Sequence, residues 1–126
     1  MASNSSHKVL IVDDDPSLGT TYKMALELAD LEVAVAKSGK EGLEKAKQQM
    51  PSVMVVDIMM PNMNGKELLK KLKEDPVTAD IPVVICTSLV EELEKKEFMS
   101  LGAVDYLVKT DTDPDKLASV IKKILK

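Results

Sequence analysis

Pro51–Gly65 reads PSVMVVDIMMPNMNG, an apolar run interrupted at its centre by Asp57. Val53, Met54, Val55 and Val56 are consecutive and mostly β-branched. A short continuous apolar run between turn residues marks a strand buried on both faces. Pro51 precedes it, and Pro61, Asn62, Asn64 and Gly65 follow, so the run is punctuated at both ends. Asp57 thus falls at the carboxyl end of an interior strand. In an open parallel α/β sheet, ligands bind at that edge. A carboxylate there is either a capping or turn residue or a chemical group, and the stretch alone leaves both readings open.

Towards the amino terminus, Lys8–Asp13 reads KVLIVD, a second apolar run ending in acid, extended by Asp14 and Asp15. Pro16 suits the first position of a helix, which makes Asp15 its N-cap. That helix runs to about Ala29, with Leu18, Tyr22, Leu26 and Ala29 as its apolar stripe. Glu32–Ala36 is a short strand. Ser38–Glu41 opens a helix as a capping box, with Leu43 and Ala46 facing inward. Beyond Asp57, Asn64–Glu74 is a helix carrying Leu68, Leu69 and Leu72, and Pro76 and Pro82 bracket a loop. Ile81–Cys86 is another buried strand, ending at Thr87. Ser88–Glu91 reads as a second capping box, with its helix closing at Gly102. Val104–Lys109 is the fifth strand. Asp113-Pro114 opens the last helix, which carries Leu117, Val120, Ile121 and Ile124.

Strand and helix therefore alternate five times. This predicts an α/β fold, a doubly wound five-stranded parallel sheet with right-handed crossovers and helices on both faces. The strand ends carry the chemistry. The first ends in Asp13 and Asp14, the third in Asp57, the fourth in Thr87 and the fifth in Lys109; the second ends in apolar Ala36. In the order 2-1-3-4-5 all five polar groups share one crevice.

Three carboxylates that close repel one another, by about 1 kcal/mol per pair at ~4 Å in water and about 4 at an effective dielectric near 20. Protonation or a cation relieves this. An all-oxygen donor set favours Mg2+, with Mn2+ as the other hard-ion candidate. Zinc would want cysteine or histidine. A carboxylate beside such an ion can act as a nucleophile toward phosphorus. The ion and Lys109 would neutralise phosphoryl oxygens, Thr87 would donate to another, and backbone N–H groups near Met59 and Ser88 would supply more.

Composition narrows the function classes. The chain has 126 residues, a formal net charge of −4 and one cysteine, Cys86. This describes one domain with a real core, poorly suited to nucleic acid or anionic membrane. No internal disulfide can form, which fits a reducing compartment. No apolar run approaches ~18 residues, so no span is expected. MASNSSHK lacks the apolar segment of a signal peptide, and residues 1–7 read as a disordered tail with His7 solvated. Met54, Met59 and Met60 read as packing residues, Cys86 as a small core hydrophobe, and Lys116, Lys122, Lys123 and Lys126 as a solvated helix face.

The set V-D-D at 12–14, D-I-M-M-P at 57–61, Gly65, Thr87-Ser88 and Lys109 closely resembles the receiver domain of two-component response regulators, the chemotaxis CheY type. The resemblance covers residues 8–126 and implies the flavodoxin-like (βα)5 fold. It implies Asp57 as phospho-acceptor and Asp13, Asp14, Asp57 and the Met59 carbonyl as Mg2+ ligands. Thr87 and Tyr106 match the switch pair. It further implies a cytoplasmic signalling switch rather than a turnover enzyme. The phosphoryl donor would be a histidine kinase or histidine phosphotransfer protein. The output would be a downstream protein target or an output domain outside this chain, with signals leaving through the fourth helix, fifth strand and fifth helix.

One residue departs from the family pattern. The family commonly has proline after the lysine, joined by a cis bond, and here Thr110 follows Lys109. A cis bond to a non-proline residue costs roughly 2.5–4 kcal/mol. A trans bond, or a strained cis bond, is expected, which leaves the aim of Lys109 to be established. Met59 and Leu89, two residues beyond Asp57 and Thr87, flank the site in the family, and as apolar residues they would hinder water. Three other classes fit these residues less well. A Mg2+-dependent phosphohydrolase usually needs an acid two residues after its nucleophile, where Met59 stands. A flavin module needs a phosphate loop where Asp14-Asp15-Pro16 stands. A non-phosphorylated adaptor has no use for the retained acids and lysine.

Overall fold

A computed structural model describes residues 7–89 and 91–125, without the side chains of residues 16–18. The expected cap at Asp15, the stripe position Leu18, the tail over 1–6 and Lys126 depend on parts outside these described residues. The strands are β1 (Lys8–Val12), β2 (Glu32–Ala36), β3 (Val53–Val56), β4 (Val83–Thr87) and β5 (Asp105–Val108). The helices are α1 (Pro16–Leu28), α2 (Gly39–Gln49), α3 (Gly65–Glu74), α4 (Glu92–Ser100) and α5 (Pro114–Ile124), with a 3-10 turn at Lys109–Asp111. All strand pairs are parallel, in the order β2-β1-β3-β4-β5.

The apolar runs are continuous because each interior strand is covered on both faces. Leu10, Val12, Met54, Val56, Val83, Ile85 and Tyr106 point to one side, with Leu68, Leu69 and Leu72 of α3 and Phe98 of α4. Val9, Ile11, Val53, Val55, Val84, Cys86 and Leu107 point to the other, with Tyr22 and Leu26 of α1 and Leu117 and Ile121 of α5. Period-two alternation along each strand thus builds two cores from one sheet. The edge strand β2 is only partly buried, apart from Ala36.

The local signals work by identifiable bonds. Ser38 accepts from the Glu41 amide at 3.1 Å, but the Glu41 carboxylate accepts from the Lys37 amide, one residue before the position a capping box addresses. Asn64 and Asp113 cap α3 and α5 in the same way, accepting from the Glu67 and Lys116 amides. α4 ends in a Schellman motif: Ala103 N–H donates to Phe98 O, Gly102 N–H to Met99 O, and Gly102 takes φ +109.

Two expectations are corrected. Ser88–Glu91 is not a capping box. Residue 88 stays outside the helix, α4 begins at Glu92, and its N-cap Glu91 makes no side-chain cap bond. The reason is competition: Thr87 Oγ1 takes the Leu89 amide at 3.4 Å and the Tyr106 hydroxyl takes the Leu89 carbonyl at 3.0 Å. Met59 does not pack; it is 58% exposed, whereas Met54 and Met60 are buried. Strand boundaries differ by one or two residues, with β4 starting at Val83 and β5 at Asp105.

Candidate functional site

The sheet register brings the acids together. Val12 pairs with Val56, so the next residues, Asp13 and Asp57, lie side by side past the carboxyl edge. Each backbone is still held by its neighbour: Asp13 N–H donates to Ala36 O and Asp57 N–H to Val12 O, both at 3.0 Å. One carboxylate oxygen each from Asp13, Asp14 and Asp57 lies within 4.8 Å of the others. Thr87 pairs with Val108, which places Lys109 one residue further along the same edge. Its ammonium donates to Asp13 Oδ2 at 2.9 Å and Asp57 Oδ2 at 3.2 Å. Among the described residues no peptide bond is cis, so Lys109 reaches both acids through a trans bond to Thr110.

The loop after β3 is shaped around Asp57. Met59 N–H donates to Asp57 Oδ1 at 3.3 Å, and Gly65 N–H donates to Ile58 O at 2.9 Å. A Cβ on Gly65 would stand 2.6 Å from Asp57 O and 2.8 Å from Ile58 Cα, so only glycine lets α3 start this close to the acid. Asp13 Oδ1 accepts from the Asp15 amide at 2.9 Å, which orients the carboxylate.

Asp13 and Asp57 are buried, while Asp14 is exposed at the mouth. Burial raises the Asp57 carboxyl above its ordinary value; Lys109 pulls it down less strongly, and Asp13 pushes it further up. Burial depresses the Lys109 ammonium, but Asp13 and Asp57 outweigh it and hold the group above its ordinary value. Three carboxylates and one ammonium leave a formal charge of −2 at the cluster. A divalent cation would balance it, and the all-oxygen donor set fits Mg2+.

This electrostatics makes a stability prediction for metal-free protein. A buried acid with a raised folded value favours folding when protonated. That contribution is complete below the ordinary aspartate value of 3.8 and is lost as pH rises through the folded value. With chelator present, Asp57→Asn therefore melts roughly 2–5 °C above wild type at pH 7, and the gap closes toward pH 4. A variant melting below wild type at pH 7 contradicts the charge balance described here.

The two candidate switch residues meet through Leu89 rather than directly. Thr87 is fully buried and accepts from the Leu89 amide, and the Tyr106 hydroxyl donates to the Leu89 carbonyl. The Tyr106 ring is buried, tilted 49° to Phe98 at 6.1 Å between centroids. Two residues near the site have no functional signal in the sequence: Thr112, whose hydroxyl donates to Val108 O at 2.8 Å, and Tyr22, which reads only as a stripe residue and whose hydroxyl donates to Thr112 O at 3.5 Å. Cys86 is buried and free, and its thiol is pushed up by burial, as suits a core residue.

Similarity to known proteins points to one family. The family described as response regulator receiver domain matches residues 9–122. The chain is 36% identical over 118 residues to protein PilH of Pseudomonas aeruginosa, covering 94% of this chain and 97% of PilH. It is 34% identical over 119 residues to the alkaline phosphatase synthesis transcriptional regulatory protein PhoP of Bacillus subtilis, covering 94% of this chain but 48% of PhoP. It thus spans about half the length of that regulator. Chemotaxis protein CheY4 of Vibrio cholerae superposes with a TM-score of 0.89 at 30% identity, covering 96% of this chain and 100% of CheY4. No described helix is long and apolar enough to cross a membrane. With the five-stranded order, the acid cluster at the sheet edge and a family match over nearly all its length, this chain belongs to the response regulator receiver domains, the phosphorylation-dependent signalling switches of two-component systems.

Proposed function

We propose that Asp57 is the residue that carries the phosphoryl group, and that the acid cluster holds Mg2+ while it is loaded. The observation that carries this reading is the convergence of three carboxylates within 4.8 Å, with the Lys109 ammonium bonded to two of them. Asp13, Asp14, Asp57 and the Met59 carbonyl would hold the ion, whose chemistry is to neutralise phosphoryl oxygens and fix their direction. A deprotonated Asp57 oxygen forms the new O–P bond as the donor's N–P bond breaks; the donor's imidazole nitrogen keeps that electron pair and takes its proton from water. Lys109 stabilises the charge that builds on the phosphoryl oxygens, a role worth roughly 10²-fold or more in rate. Thr87 turns its hydroxyl toward the phosphoryl group, releasing the Leu89 amide. The Tyr106–Leu89 bond then passes the rearrangement to the start of α4.

The donor is a histidine kinase or histidine phosphotransfer protein, and the output is a protein target or an output domain. The setting is cytoplasmic. The protein catalyses only its own loading and unloading. Met59 offers no proton to a leaving group, which argues against hydrolytic turnover. The test is incubation with acetyl phosphate, with and without Mg2+: labelling that needs the ion supports the reading, and ion-independent labelling contradicts it.

Met59 and Leu89 bear on the lifetime of the loaded state. Met59, whose amide donates to Asp57 Oδ1, is exposed, and Leu89, whose amide donates to Thr87 Oγ1, is half-buried. Replacing them with Asn and Glu is expected to speed phosphate loss roughly tenfold by admitting and orienting water. A time course of label release checks this, and unchanged or slower loss in the double variant contradicts it.

A further inference from the structure

Lys109 reaches Asp13 and Asp57 although Thr110 follows it through a trans bond. Its ammonium sits on a flexible four-carbon stem, so its aim depends on how the backbone leaves β5. The chain there enters a 3-10 turn of three residues, Lys109–Asp111, a weakly self-supporting element. Thr112 ties that turn at both ends. Its hydroxyl donates to Val108 O at 2.8 Å, and its amide donates to Lys109 O at 3.2 Å. The residue is only 3% exposed. From α1, the Tyr22 hydroxyl donates to Thr112 O at 3.5 Å. This is not helix capping, because α5 has its own cap in Asp113, which accepts from the Lys116 amide at 2.8 Å.

We propose that Thr112 is the positioning residue for Lys109. Its bonds to Val108 and Lys109 fix the turn that aims the ammonium at the acids, and Tyr22 braces it from α1. The inference rests on the reading of Asp57 and Lys109 above.

The test compares initial rates of phosphorylation by acetyl phosphate at saturating Mg2+, alongside thermal midpoints with and without Mg2+. Thr112→Val keeps the shape and removes the hydroxyl; it is expected to slow loading about tenfold, as a small misplacement does. Thr112→Ser restores the donor and stays within about twofold of wild type. Lys109→Ala slows loading about 10²-fold, and adding Thr112→Val to it changes nothing further. The Mg2+-induced rise in midpoint persists in Thr112→Val, because the acids are untouched. Should that variant fail to fold, Tyr22→Phe is expected to slow loading about threefold, again only when Lys109 is present. The inference is overturned if Thr112→Val loads at the wild-type rate, if serine fails to rescue, if the slowing is as large without Lys109, or if the Mg2+ response is lost. A fast Lys109→Ala protein, or labelling that survives Asp57→Asn, instead overturns the reading beneath it.

Discussion

Asp57→Asn is expected to leave a folded protein that takes up no phosphoryl group from acetyl phosphate and Mg2+. The substitution is nearly isosteric, so the β3 end and its bond to Val12 are kept, while the nucleophilic oxygen becomes an amide. An amide oxygen does not form a stable acyl phosphate, so the loss is complete rather than partial. The same change removes one of three clustered negative charges and weakens the attraction for a divalent ion. Wild type should gain thermal stability from Mg2+ by mass action, about 1.4 kcal/mol when the ion is at ten times its dissociation constant, and the variant clearly less at that concentration. Label incorporation and melting with and without Mg2+ check both parts. A variant that labels like wild type contradicts the assignment of Asp57.

Gly65→Ala is expected to damage fold and site together. Its Cβ would meet Asp57 O at 2.6 Å, Ile58 Cα at 2.8 Å and Asp57 C at 3.1 Å, all backbone atoms that cannot swing aside. Relief requires α3 or the loop bearing Asp57 to move. Overpacking of this kind costs about 1–3 kcal/mol. Displacing the acid by even about 1 Å is expected to slow loading roughly 10²-fold. Gly19→Ala is the control, since among the described residues its Cβ would meet only Val35 Cγ1 at 3.4 Å, and alanine favours a helix. Thermal melts and loading rates of the two variants check this. A Gly65→Ala protein with wild-type values contradicts the close approach described here.

Much of this was readable from the chain. Strands buried on both faces advertise themselves as unbroken apolar runs, and β1, β3 and β4 do so. The polar residue following each strand then falls at the sheet edge, which is why the sequence alone groups Asp13, Asp57 and Lys109. Ala36 marked β2 as the edge strand by the same logic, and it lies at the edge.

What stayed hidden depends on contacts distant in sequence. Ser88–Glu91 has a capping-box pattern, but Tyr106, seventeen residues after Leu89, claims the Leu89 carbonyl. The exposure of Met59 follows from how the loop turns around Asp57, with Asn62 at φ 69, and not from its apolar side chain. The aim of Lys109 could not be derived because its trans bond is compatible with many directions. The bonds that choose one come from Thr112 and from Tyr22, ninety residues earlier in the chain than Thr112.

The most direct measurement of the central claim is to map the modified residue. Protein loaded with acetyl phosphate and Mg2+ is reduced with borohydride, which converts an aspartyl phosphate to homoserine, and the peptides are sequenced by mass spectrometry. The expected result is homoserine at position 57 alone, absent when Mg2+ is chelated. Homoserine at another aspartate, or phosphate retained on a hydroxyl side chain with residue 57 unchanged, would contradict it.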